Sequence, residues 1–111
     1  MRSLAILTLP LVCLAEPALA DWNDREICRA AAKVYFFTKG LPADAKDQDG
    51  YFGLQGSGGV VYGCRIDGNK TSFHWVNKDG TTMKSNSTTF EVNGGSLTVK
   101  TDLLTESFTS P

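Results

Sequence analysis

The stretch VVYGCRIDGNKTSFHWVN, Val60 to Asn77, decides how the chain folds. Val60, Tyr62, Cys64 and Ile66 fall on one side of an extended segment, and Val61, Gly63 and Arg65 fall on the other. That is the alternation of a half-buried strand. Asp67, Gly68 and Asn69 supply turn chemistry, and Phe73 and Trp75 carry the apolar face onward, so the reading is a β-hairpin. The same alternation points His74, the chain's single histidine, outward with Ser72 and Val76.

Downstream, Asn77 to Gly80 gives the next turn. Thr81–Ser85 and Thr88–Val92 read as two weaker strands carrying Met83, Phe90 and Val92, and Leu97 and Val99 alternate in a further one after the turn at Asn93 to Gly95. Leu103 and Leu104, with Phe108, make a last apolar group that either forms a short strand or covers the sheet. Thirteen of the thirty residues from Thr81 to Ser110 are Ser or Thr, the composition of a solvated outer face on a sheet.

Upstream, DWNDREICRAAAKVYFFTKG (21–40) has helical spacing. Asn23 or Asp24 caps it, Asn23 with Glu26 resembles a capping box, and Gly40 follows the basic last turn containing Lys39. Ile27, Cys28, Ala31, Val34 and Tyr35 share a face that Phe36 or Phe37 extends, a stripe read as packing surface. Leu41 to Gly59 is rich in Gly and Asp and reads as a long loop with a short edge strand around Tyr51 to Leu54. Long loops in small domains are commonly functional, so Tyr51 and Phe52 are candidate anchors for a partner, together with His74.

Residues 1–20 have the pattern of a secretory signal peptide: Arg2, an apolar run from Leu4 to Leu14, and Ala18-Leu19-Ala20 before Asp21. The run is too short to span a bilayer, and Val12 before Cys13 argues against a lipidated cysteine, so no stable membrane anchor is expected. Residues 21–111 then form one small secreted α+β domain that retains two cysteines, Cys28 and Cys64. An even pair in a short exported chain implies a disulfide, here one that pins helix to hairpin. The expected fold is α+β: one N-terminal helix packed on a four- to five-stranded antiparallel β-meander with that single disulfide.

Removal of Arg2 and Glu16 leaves ten basic and eleven acidic residues, scattered without a basic stripe, which gives nucleic-acid binding no electrostatic support. No metal or cofactor is expected: a single histidine and two unclustered cysteines do not make a zinc site. A calcium-loop alignment of Asp47, Asp49 and Gly50 puts Ala45 and Gly56 where the first and last ligands belong. QGSGG (55–59) lacks the Lys-Ser/Thr of a phosphate loop. Asn69 and Asn86 begin glycosylation sequons that matter only in a eukaryotic secretory pathway.

The order VVYGCRIDG followed by SFHWVNKDG resembles the opening strands of periplasmic C-type lysozyme inhibitors, which begin on a Tyr-x-Cys strand and fold as small antiparallel barrels. The chain departs from that pattern in lacking the Ser-Gly loop that those inhibitors insert into the lysozyme cleft, and in placing Cys28 on a helix; membership is not assigned.

The expected function is that of a small exported binding protein of the cell envelope or secretome, with another protein as partner, for instance as an inhibitor or immunity-type partner of a secreted enzyme. Its location would be periplasmic in a Gram-negative host and extracellular otherwise. Two other readings stay open: a structural or accessory subunit of an envelope complex, and a small hydrolase using His74 with a carboxylate. No assembled catalytic set supports the last, so an enzyme is not expected.

Overall fold

The computed structural model describes residues 22–110; the expected signal peptide lies outside them. Helix α1 (Asp24–Tyr35) is followed by seven strands: β1 (Asp44–Gln48), β2 (Tyr51–Gln55), β3 (Val61–Asp67), β4 (Lys70–Val76), β5 (Thr82–Asn93), β6 (Ser96–Lys100) and β7 (Thr105–Thr109). They form one antiparallel sheet in chain order, a pure meander.

The capping box predicted for α1 forms as read: the Glu26 amide donates to the Asn23 side chain at 2.8 Å and the Asn23 amide donates to Glu26 at 3.2 Å. The other end differs. The helix stops at Tyr35, well short of Gly40, and Phe37 takes the left-handed conformation at φ 57° while the Thr38 amide donates to the Lys33 carbonyl at 3.1 Å. This is a Schellman closure with an aromatic in the place that usually favours glycine.

Ile27, Cys28, Ala30, Ala31, Ala32 and Val34 are all buried, more of the helix circumference than one stripe. The three small alanines let the helix sit close to the sheet, and the sheet wraps it. Its ties reach both edges: Arg25 and Arg29 pair with Asp44 and Asp47 on β1, while Lys33 pairs with Glu106 on β7 at 3.0 Å. In the centre, Cys28 is bonded to Cys64 on β3 with their Cα atoms 5.9 Å apart, the staple expected from the sequence. Leu54, Phe73, Leu97 and Val99 complete the buried layer from β2, β4 and β6.

The structure has seven strands against the four or five expected, and it differs from the sequence reading in three places. First, the segment read as a loop contains the hairpin β1–β2, turned by Asp49 (φ 50°) and Gly50 (φ 80°) between the paired Gln48 and Tyr51. Two consecutive positive φ values in a two-residue loop make a type I′ turn, which Asp-Gly favours. The strand β1 has no apolar alternation because its helix-facing side chains are Asp44 and Asp47, held by arginines; its bulge between Ala45 and Gln48 brings Asp47 to accept from the Gly53 amide at 2.8 Å. A Cβ on Gly53 would overlap the Lys46 carbonyl, so only glycine lets the bulged strand lie there. Second, Tyr51–Gln55 is therefore not an edge but the second strand.

Third, the two weak strands after Asn77 are one continuous strand, β5, long enough to pair with β4 through one part and β6 through the other. Its irregularity lies between the pairs Thr71↔Thr88 and Phe73↔Ser85, where β5 carries one extra residue. At the C-terminal end, β7 buries Phe108 partly under the helix, while Leu103 and Leu104 sit in the preceding turn, Leu103 being 76% exposed.

Candidate partner-binding face

With the helix on one face of the sheet, the other face carries no covering element among the described residues. Register fixes which side chains stand on it. Gly53 pairs with Gly63 and Gly63 with His74, which in turn faces Lys84, so this row crosses β2, β3, β4 and β5 on the outer side. Phe52, Leu54, Cys64 and Phe73 belong to the opposite, helix-side rows.

Tyr51, Phe52 and His74 are thus not one cluster. Tyr51 and His74 meet on the outer face with ring centroids 5.3 Å apart. Phe52, the next residue along β2, points to the helix side and lies under the Arg25 guanidinium at 4.8 Å. Its ring packs there against α1, on the side opposite the Tyr51 ring, because neighbours on a strand face opposite ways.

The Tyr51 ring lies over Gly63, where a Cβ would come within 3.2 Å of the Tyr51 Cβ. Arg65 covers it at 5.0 Å from the ring centroid. The ring is therefore held between glycine, imidazole and guanidinium in a fixed position. Two places further along the same outward rows stand Val61 and Val76, 46% and 50% exposed. Together with Lys46, Gln48, Asp49 and Lys78 they surround a concavity of about 640 Å³. The turn Ser57–Gly59 forms part of its rim, where the Lys78 Nζ would lie 3.7 Å from a Cβ on Gly58.

The hydroxyl nearest in sequence to His74 on its own face is Ser72, and it donates to Asp67 at 2.8 Å. The same Asp67 oxygen accepts from Arg65 at 3.3 Å. Those donors, Ser72 foremost, hold the Asp67 carboxyl below the usual carboxylate range. This carboxylate is committed to serine and arginine, and the ring beside His74 is a tyrosine. Among the described residues no group of three or more His, Cys, Asp or Glu side chains is placed to hold a metal ion. Among them, too, no helix is long and apolar enough to cross a membrane.

The outer side of β5, β6 and β7 has a different character. Glu91, Thr98, Ser107 and Lys100 lie there, with Thr98 and Ser107 hydroxyls 3.1 Å apart, the solvated Ser/Thr surface expected from composition. One face thus carries an apolar, aromatic half and a polar half.

Alternation alone had already sent His74, Val76, Val61 and Gly63 outward. The lysines were not visible as a set, because they come from three separate segments, β1, the β4–β5 turn and β5, that only the sheet register brings together. Comparison with protein-family models, with curated proteins and with solved structures gives no match for this chain.

Proposed function

We propose that the chain is an exported, disulfide-stapled binding protein of the cell envelope or secretome, and that it binds another protein through the outer face of β2, β3 and β4. The carrying observation is the exposure of Val61 and Val76 beside a Tyr51–His74 pair in a concavity on the uncovered side of the sheet. Fixed aromatics flanked by exposed apolar side chains are the ingredients of interface anchors. The buried disulfide and the signal-like leader support export. Inhibition or neutralisation of a secreted enzyme is the concrete form of this function; a disulfide-stapled sheet, with no catalytic set assembled around His74 among the described residues, suits binding without turnover.

The test is retention of native partners from envelope and secreted fractions by the full exported chain and by a Val61→Asp/Val76→Asp variant. Both positions are about half exposed, so the variant is expected to keep the fold, which its far-UV spectrum checks. A protein retained by the wild type and lost by the variant is the expected result. No retained protein, or retention indifferent to the two aspartates, refutes the assignment.

A further inference from the structure

We propose that the concavity on the outer face is a receptor for an acidic, projecting segment of the partner protein, whose carboxylates meet Lys46, Lys78 and Lys84 while an apolar side chain enters between Val61, Val76 and the Tyr51 ring. The inference rests on the binding-face reading above and adds the chemistry of what binds.

Three observations carry it. The first is a local excess of positive charge on a chain of net charge −1: three lysines line the concavity against a single acid, Asp49. The second is how charges are paired elsewhere. Arg25, Arg29, Lys33 and Arg65 each have a carboxylate within ion-pair distance, whereas Lys46, Lys78 and Lys84 have none among the described residues and all three are exposed. Lys39, Lys70 and Lys100 likewise have no carboxylate within ion-pair distance among the described residues, so what sets Lys46, Lys78 and Lys84 apart is that all three line one concavity. Complementary charge of this kind steers encounter and sets partner choice.

The third observation is shape. A concavity of about 640 Å³ suits several side chains of a protruding loop and suits a flat bilayer or a duplex poorly. A neutral sugar would need an open aromatic face on which to stack. Tyr51 offers none, because Gly63 and Arg65 occupy its surroundings, and Tyr62 and Trp75, which also line the concavity, are packed against the Phe36 ring. Exposed Val61 and Val76 supply the apolar contact that a purely charged ligand would leave unused.

The deciding experiment is an amide-shift titration of the exported chain with a capped peptide of alternating glutamate and leucine, and with its glutamine counterpart. Shifts centred on Tyr51, Val61, His74 and Val76, absent with the glutamine peptide, are expected. Lys46→Gln/Lys78→Gln/Lys84→Gln should weaken binding by about tenfold or more, since it removes all three complementary charges. Lys39→Gln/Lys70→Gln/Lys100→Gln, which neutralises three other cations without carboxylate partners among the described residues, should leave it within about twofold, because distant exposed charges are screened. Equal weakening in both variants, shifts centred elsewhere, or no binding of the glutamate peptide would overturn the proposal. So would tighter binding of a heparin hexasaccharide or of phosphatidylglycerol-containing vesicles at the same residues, which would assign the site to a glycan or a membrane. A native partner lost on Val61→Asp/Val76→Asp but retained by the Lys46, Lys78 and Lys84 variant would leave the binding face standing and remove the acidic segment; a wild-type chain that retains nothing strikes the binding face itself.

Discussion

Replacing both bridged cysteines by alanine, Cys28→Ala/Cys64→Ala, removes the one covalent tie between α1 and the centre of the sheet. The bond closes a sequence separation of 36 residues, which in the chain-entropy model corresponds to about 4 kcal/mol of stability. Both side chains are fully buried, and deleting two sulfurs loses a further ~1–2 kcal/mol on the scale of buried methylenes. A domain of this size has a total of roughly 5–10 kcal/mol at typical stability per residue, so the loss is most of it. The remaining ties of the helix are ion pairs at its two flanks, partly exposed, and such pairs contribute little each. Urea unfolding followed by tryptophan fluorescence reads both ends of the molecule. Trp22 donates to the Gly95 carbonyl at the β5–β6 turn, and Trp75 lies 5.1 Å from the Phe36 ring at the end of the helix. A fall of roughly 4–6 kcal/mol, with far-UV helical signal lost first, is expected. A double variant within about 1 kcal/mol of the wild type would refute the reasoning, since it would show that packing around the helix suffices without the bond.

Acid should loosen the helix from β1. Arg29 holds the Asp44 carboxyl, and Arg25 together with the Gly53 amide holds the Asp47 carboxyl, below the ordinary carboxylate value. Their contribution is complete above that ordinary value and is lost as pH falls through the lower folded-state values, because the unfolded chain takes up protons first. Urea midpoints should therefore be flat above pH about 5 and drop below about 4, with Asp44→Asn/Asp47→Asn flattening that limb; an acid limb unchanged in the variant would contradict this. Thr71 and Thr88 are a fully buried cross-strand pair whose hydroxyls have no hydrogen-bond partner, so Thr71→Val or Thr88→Val should raise stability by about 1 kcal/mol. A loss of that size in either would mean the hydroxyls are satisfied. Phe37 is 61% exposed at φ 57°, and Phe37→Gly should stabilise by about 1 kcal/mol in the same denaturation assay, as left-handed backbone strain is relieved; a destabilised variant would show that the aromatic ring packs.

The parts of the fold that followed from local chemistry were legible. Asn23 and Glu26 announced the helix start, and the alternation around Cys64 and Phe73 gave the central hairpin, its faces and hence the disulfide. What was not legible depended on partners distant in the chain. Strand β1 is built from Asp, Ala, Lys and Gln, and only its arginine partners on the helix and the positive-φ Asp49-Gly50 turn make it a strand; that Asp-Gly pair was the available signal, and it was compared with a calcium loop instead. The end of the helix at Phe37 defied the glycine rule, and the Ser/Thr-rich run concealed one long bulged strand. Of the candidate site, Tyr51 and His74 share the outer face while Phe52 is separated from them by a strand's alternation, which the short edge strand read around Tyr51 to Leu54 already implied. The three lysines required the register itself.

The most direct test of the binding face is position-specific crosslinking in the native cell. A photoreactive benzoylphenylalanine replacing Val76, on the apolar half of the outer face, is set against one replacing Thr98, on its polar half. A single protein adduct from position 76 with none from position 98 is the predicted outcome. An adduct from position 98 alone, or no adduct from position 76, would contradict the account.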